Sequence, residues 1–241
     1  MSKRKKICLF VVEGISDKTA MALPLKQFFQ DDVSLRFDIT YGDITSRPQP
    51  RKDSVLAELG DAVREYLKTY KLKSSDLQEI VQLVDIDGCY INDGQVVSAP
   101  ANFVGALPFY SEHVILADAV AGIRKRNALK QLRLQALYLR KKLQLDKLDI
   151  AYSVYYFSCN MDHVLYNERN LATEYKVVKA EAFAEEYSYS KQAFTDFMRA
   201  RYPQIAHDEK ASWKFIQDGE HALQRWSNFL LFLERLQVSA P

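Results

Sequence analysis

The chain has 241 residues, 48% of them hydrophobic and 27% charged, which is enough to bury the core of one or two domains. Its formal net charge of +2 excludes a polycation, so any contact with nucleic acid must come from a local patch. We expect a cytoplasmic protein, because no run reaches the roughly 20 apolar residues of a membrane span, the N-terminus lacks a signal-peptide pattern, and the three cysteines have no C-x-x-C spacing.

The first half of the chain alternates predicted strands with predicted helices. A continuous apolar run rich in β-formers predicts a strand over 7–12, and further strands are predicted over 35–41 and 80–84. Three- and four-residue spacing of apolar residues predicts a helix over 54–70. A helix with Ser16 as its N-cap is expected towards Phe29, kinked or interrupted at Pro24. The Gly- and Pro-containing segments 42–53 and 88–112 are predicted loops.

The second half begins with residues 114–117, which fit either a short strand or the start of a helix. A long helix is predicted over 123–145 and the last strand over 150–157. The remainder is predicted helical over 161–175, 180–188, 191–202 and 220–236. The aromatic residues of this tail are interpreted as core or partner-facing rather than as base-stacking: Trp213, Phe215, Trp226, Phe229 and Phe232.

Strands that alternate with helices predict an α/β fold with a mostly parallel sheet flanked by helices. We expect an α/β domain over residues 1–175 and a helical C-terminal region over 176–241 packed on it. In such sheets ligands bind beyond the carboxyl ends of the strands. Glu13, Asp85 and Asp87 follow predicted strands and are therefore expected at that edge.

Two acidic motifs follow the first and third predicted strands. Asp85 and Asp87 are separated by one residue, so strand alternation turns both carboxylates to the same side. Two neighbouring carboxylates repel each other, and Mg²⁺, which prefers oxygen ligands, relieves that repulsion. Glu13 is then a candidate ligand or general acid/base. Each motif alone also fits an ordinary turn, in which Gly14 permits a tight bend and Asp17 caps a helix.

The combination of Val12-Glu13-Gly14-x-x-Asp17-x-x-Ala20 with Asp85-x-Asp87-Gly88 resembles the Toprim domain over about residues 6–165. The resemblance implies a Rossmann-like sheet, a catalytic glutamate at Glu13, and Mg²⁺ or Mn²⁺ ligands at Asp85 and Asp87. The chain departs from the family in two ways. The motifs lie 85 − 13 = 72 residues apart, which is longer than in compact members of the family, and a glycine directly follows the second aspartate, where many members have it later. These departures bear on the subfamily more than on the metal site.

The segment 157–165 resembles the strand-to-helix segment of RloB-like and OLD-type phage-defence proteins. In that resemblance an acidic residue opens the helix near the metal, which makes Asp162 a further candidate ligand. His163 lies beside it and is a candidate for the supporting loop, although a structural histidine is the favoured interpretation.

Basic residues are concentrated in the predicted helix 123–145, with no acidic residue among them. They are Arg124, Lys125, Arg126, Lys130, Arg133, Arg140, Lys141 and Lys142. Such a field fits the backbone of a nucleic acid, because phosphate contacts supply most of the sequence-independent affinity. The alternatives are a solvated helix face paired with acids elsewhere, or a docking surface for an acidic protein.

The motifs lead to two functional hypotheses. The first is a Mg²⁺-dependent Toprim-type nuclease that acts on DNA or RNA. By analogy with OLD-type systems it is the effector of an antiviral system and works with a separate ATPase, because the chain has no phosphate-binding G-x-x-x-x-G-K-[ST] loop of its own. The second is a non-enzymatic module that keeps this scaffold and binds nucleic acid or a partner through the basic helix and the helical tail.

Overall fold

The computed structural model describes residues 5–29, 33–47 and 55–238. The strands are β1 Lys6–Val12, β2 Val33–Ile39, β3 Leu77–Asp85, β4 Val96–Ser98, β5 Phe109–Tyr110, β6 Ile115–Ala117, β7 Lys142–Leu145 and β8 Leu148–Phe157. The helices are α1 Ile15–Lys26, α2 Val55–Thr69, α3 Val120–Tyr138, α4 Met161–Tyr166, α5 Thr173–Glu186, α6 Lys191–Arg199, α7 Glu209–Ile216 and α8 Leu230–Val238. Short 3-10 turns lie at Ser74–Asp76, Asp93–Gln95 and Gly219–Leu223.

The main sheet has the strand order β2-β1-β3-β8-β7. Strand β1 pairs in parallel with both β2 and β3, whereas β7 is antiparallel to β8. A smaller sheet has the order β4-β6-β5, in which β4 is parallel and β5 antiparallel to β6. The protein therefore has an α/β fold with a mostly parallel sheet flanked by helices, as predicted.

Strand β1 shows why the central strands could be read from the sequence. Every residue from Ile7 to Val12 is buried, because the strand has neighbours on both sides and is covered on both faces. Its aromatic residue Phe10 packs against Phe37 of β2, with the ring centroids 5.3 Å apart and the planes tilted by 30°. A strand buried on both faces has a continuous apolar run rather than alternation, which is the signal that the sequence carries here.

The chain divides into two compact units, each assembled from several segments. Within the described residues the first unit comprises the chain up to Val84 with Arg133–Tyr155 and Ala180–Lys191. The second comprises Asp85–Leu132, Tyr156–Lys179 and the chain from Gln192 onward. The region after residue 175, which we expected to form one helical extension, is thus shared between the two units.

The end of the predicted helix 123–145 is wrong. Helix α3 ends at Tyr138, and Lys142–Leu145 form strand β7. The side chains of β7 alternate between exposed and buried, with Leu143 and Leu145 inward. Leu139 and Leu143 also lie four residues apart, so the same leucines fit a helical repeat, and only the pairing with β8 selects the strand.

Other local differences are smaller. Helix α1 continues through Pro24, which is buried in the last turn, and begins after Gly14 rather than after Ser16. The predicted loop 88–112 contains β4 and β5, and residues 115–117 are a strand. Helix α7 was not predicted, and the predicted helix 220–236 is a 3-10 turn followed by α8. No helix in the described ranges is long and apolar enough to cross a membrane. Residues 48–53 of the other predicted loop lie outside the described residues.

Candidate acidic site

Glu13 and its loop lie in the first unit, directly after β1. The backbone carbonyl of Glu13 accepts a hydrogen bond from the Gly42 amide at 2.9 Å. The Asp17 carboxylate accepts the Gly14 amide at 2.8 Å, so Asp17 caps the start of α1. Gly14 itself has an extended backbone with φ −136°. The glycine and Asp17 of this motif therefore have a structural role at the start of α1, and the Glu13 side chain is partly exposed beside them.

Asp85 and Asp87 lie in the second unit, in a turn that is bonded to the end of β8. The Asp85 carboxylate accepts the Met161 amide at 2.8 Å. The amides of Ile86 and Asp87 donate to the carbonyls of Phe157 and Cys159 at 3.0 and 2.6 Å. Ile86 is fully buried and both aspartates are partly exposed. Strand β3 ends at Asp85, and the left-handed backbone of Asp87 rather than strand alternation sets the direction of its side chain. This turn is called the Asp85–Asp87 turn below.

Gly88 allows the Asp85–Asp87 turn to pack against the core of its unit. Asp87 and Gly88 both have left-handed backbones, with φ 51° and 61°. A Cβ atom on Gly88 would lie 2.6 Å from Leu223 Cδ2 and 3.1 Å from Ile115 Cδ1, and Leu223 is fully buried. A glycine is favoured here by its left-handed φ and, more strongly, by this close approach to a buried leucine.

The Asp87 carboxylate is held by a group of side chains that we call the Asp87 cluster: Asp87, Tyr110, Arg126 and Lys130. The Lys130 ammonium lies 2.5 Å from Asp87 Oδ2, and the Lys130 side chain has no exposed surface. The Tyr110 hydroxyl donates to Asp87 Oδ1 over a long 3.4 Å. Arg126 donates to the Tyr110 oxygen at 2.8 Å and to the Asp87 carbonyl at 2.9 Å. Burial and the charge of Asp87 raise the pKa of Tyr110, so its hydroxyl stays protonated.

Asp162 lies at the start of α4 with a lysine partner of its own. Its carboxylate is 2.7 Å from the Lys176 ammonium, and only 7% of the Asp162 side chain is exposed. The following residue, His163, donates its amide to the Asn160 side chain at 2.8 Å. Burial and the charges of Arg169 and Arg225 lower the pKa of His163 to about 4. His163 is therefore a neutral, buried histidine at physiological pH.

The basic residues of and after α3 do not share one face. Lys130 and Arg133 are buried, and Arg133 donates to the backbone carbonyls of Ile44 and Arg47 at 3.1 and 2.7 Å. Neither side chain is accessible to a nucleic-acid backbone in this arrangement. The other basic residues keep exposed or partly exposed side chains: Arg124, Lys125, Arg126, Arg140, Lys141 and Lys142. The last three follow the end of the helix, because α3 stops at Tyr138.

The helical spacing of the sequence indicates that Lys130 is buried, although it was interpreted as one of the surface cations. Asn127, Lys130, Leu134 and Leu137 recur at three- and four-residue steps and are all buried. A lysine on the inward stripe of a helix requires a carboxylate partner, since an unpaired buried charge is very unfavourable. The partner is 43 residues away in sequence, so its identity came only from the structure.

Carboxylate oxygens are the ligand atoms that Mg²⁺ prefers, and the Asp85–Asp87 turn presents two carboxylates at a partly exposed surface. The chemical type of these side chains therefore suits such an ion. A carboxylate has about four lone-pair positions, so an ammonium and a cation can share one. The ammonium groups of Lys130 and Lys176 nevertheless already neutralise Asp87 and Asp162. In the described ranges, no group of three or more His, Cys, Asp or Glu side chains is arranged to hold a metal ion.

Comparison with known proteins returns no match for this chain among family models, curated proteins or solved structures. The Toprim resemblance therefore rests on the motif residues themselves, and the function must be argued from the geometry of the site.

Proposed function

We propose that this protein is a Mg²⁺- or Mn²⁺-dependent phosphodiesterase that acts on DNA or RNA. The observation that carries the proposal is the Asp85–Asp87 turn at the end of the central strand β3, whose two partly exposed carboxylates are held by the Met161 amide and by Lys130. Asp85 and Asp87 would hold the ion, and Asp162 is added to them on the resemblance alone, because no three such side chains of the described residues are grouped around one ion. When bound, such an ion polarises a phosphoryl oxygen and lowers the pKa of a bound water.

The chain's own residues have separate roles in this proposal. Lys130 is a fixed positive charge that holds the Asp87 carboxylate in one orientation. Tyr110 and Arg126 brace the same residue through its side chain and its carbonyl. Glu13 is assigned proton transfer on its motif alone. The exposed cations, such as Lys125 and Lys141, are assigned to contacts with the nucleic-acid backbone.

The cellular setting follows from analogy with OLD-type defence systems. We propose a cytoplasmic effector that works with a separate ATPase. The compartment is proposed on the three cysteines, which are buried thiols rather than a disulfide framework, as in proteins of a reducing environment.

A cleavage assay tests the proposed activity. Purified protein is incubated with Mg²⁺ or Mn²⁺ and plasmid DNA, single-stranded DNA or transfer RNA, beside Asp85→Asn and Glu13→Gln. Asp85→Asn is preferred to a change at Asp87, because the amide keeps an oxygen acceptor for Met161 and leaves the Lys130 ion pair intact. The matched control is Asp93→Asn, an exposed acid of the same unit.

We expect metal-dependent cleavage that both site variants lose and the Asp93 control retains. Cleavage that persists in both site variants would come from a contaminant and would refute the assignment. The absence of cleavage on every substrate, with no heat of Mg²⁺ binding in calorimetry, would refute the activity itself.

The charge balance of the site favours one alternative function. Lys130 and Lys176 neutralise two of the three candidate ligands, Asp87 and Asp162, which weakens the electrostatic demand for a divalent ion. The alternative is a non-catalytic module that binds nucleic acid or a partner protein. It predicts binding of nucleic acid in EDTA with the same affinity as in Mg²⁺, and no effect of Glu13→Gln on that binding.

A further inference from the structure

An aromatic cleft lies in the second unit between the end of α6 and the 3-10 turn before α8. Its volume is about 640 Å³, within the ~300–1,000 Å³ range of sites for small ligands. Its walls carry five rings, from Tyr202, His207, Phe215, His221 and Trp226. The tail aromatics thus fall into two groups: Trp213, Phe229 and Phe232 are buried in the core, whereas Phe215 and Trp226 are partly exposed.

The rings of the cleft are held in fixed orientations. Phe215 and His221 stack face to face, with centroids 3.8 Å apart and planes at 9°. Trp226 stands edge-on to Phe215 at 5.6 Å and 89°, and its indole N–H donates to Gln224 at 3.0 Å. His221 Nδ1 is 2.8 Å from the Phe215 carbonyl. Rings fixed in this way lose little side-chain entropy when a ligand binds.

The lining chemistry favours a planar ring. A nucleobase offers a π-face to the aromatic walls. The one guanidinium among the described lining residues, from Arg199, is already paired with Asp196 and with Glu234, the latter at 3.4 Å, and Glu234 also lies 3.2 Å from His207. Recognition in this cleft therefore depends on stacking rather than on a charge.

The cleft is bonded to the Asp85–Asp87 turn through one short segment, residues 157–159. The amide of Ser158 donates to the Trp226 carbonyl at 2.8 Å, and that of Cys159 to the Ala222 carbonyl at 3.0 Å. The Cys159 carbonyl in turn accepts the Asp87 amide. One wall of the cleft and the acidic turn are therefore held by the same three residues of the second unit.

We propose that this cleft binds a nucleobase of single-stranded DNA or RNA and so positions the strand for the acidic site. The inference rests on the proposed function for its biological meaning, but base binding is measurable without cleavage. Stacking of a base on an aromatic residue tolerates any base sequence, so the cleft selects unpaired strands rather than a sequence.

The test measures binding in EDTA in the Asp85→Asn background, where no cleavage takes place. Fluorescently labelled ten-residue strands of thymidine, of uridine and of abasic deoxyribose are titrated and followed by anisotropy. Trp226→Leu keeps apolar bulk and removes the stacking face. We expect it to weaken binding of the base-containing strands roughly 5- to 150-fold and to leave the abasic strand unchanged. The matched control is Tyr189→Leu, which changes an aromatic ring of the first unit with 85% exposure.

Three results would overturn the inference: no binding of any strand, equal binding of the abasic strand, or an unchanged affinity in Trp226→Leu. Circular dichroism checks the fold of each variant, and Phe215→Leu repeats the test where Trp226→Leu does not fold. Cleavage without base-dependent binding refutes the cleft alone. Base-dependent binding that Trp226→Leu abolishes, without cleavage by the wild type, refutes the proposed activity alone.

Discussion

The two partners of the ion pair between Lys130 and Asp87 should differ in how much their replacement destabilises the protein. Asp87→Asn removes a carboxylate from a lysine ammonium that has no exposed side-chain surface. Removal of one partner from a buried ion pair costs about 3–5 kcal/mol, and because 21% of the Asp87 side chain is exposed we expect the lower end, about 3 kcal/mol. Lys130→Met instead leaves a carboxylate that water can reach, so we expect a loss of about 1–2 kcal/mol.

The assay is urea denaturation at pH 7, followed by far-ultraviolet circular dichroism, on the wild type, both single variants and the double variant. The double variant should lose no more than Lys130→Met, so the coupling between the two residues should equal the loss in Asp87→Asn, about 3 kcal/mol. Asp93→Asn serves as the surface control and should stay within about 0.5 kcal/mol of the wild type. The reasoning is refuted if Asp87→Asn also stays within about 0.5 kcal/mol, or if the two single losses add.

Three further predictions concern groups elsewhere in the fold. Burial lowers the pKa of His163 to about 4, so below about pH 6.5 the unfolded chain binds more protons than the folded protein. The free energy of unfolding should therefore fall by up to about 3 kcal/mol between pH 7 and pH 4. In denaturation measured as a function of pH, His163→Gln should reduce this dependence. Burial raises the pKa of Asp38 to about 6, so ionisation of this carboxyl destabilises the folded protein as the pH rises. Asp38→Asn should raise the free energy of unfolding by about 1–2 kcal/mol at pH 7.5 and leave it unchanged at pH 4. Equal effects at both pH values would contradict this cause. Gly88→Ala should lower the free energy of unfolding by about 2–4 kcal/mol, measured by thermal denaturation, because the new Cβ would meet Leu223 and the backbone φ is left-handed. The control is Gly94→Ala, where no atom lies within 4 Å of the new Cβ, and it should stay within about 0.5 kcal/mol of the wild type.

Local patterns determined more of the fold than of the site. The apolar run of β1 and the spacing of α2 could be read directly, because burial of a whole strand or of one helix face constrains neighbouring residues. The prediction from periodicity was wrong at Lys142–Leu145, because the leucines there fit both a helical and a strand repeat. Pairing with β8 makes this segment a strand. Periodicity also failed to separate α7 from its surroundings, because a helix of eight residues shows barely two turns of pattern.

The sequence by itself determined the alternation of strands and helices, and with it the class of fold and the position of Asp85 and Asp87 after a central strand. Only the tertiary structure decided which charges meet: it buried Lys130 against Asp87 and joined the Trp226 cleft to the same turn through residues 157–159. The physical reason is that periodicity records whether a residue faces inward. The identity of its partner depends on contacts between residues far apart in the chain, here 43 positions for the ion pair.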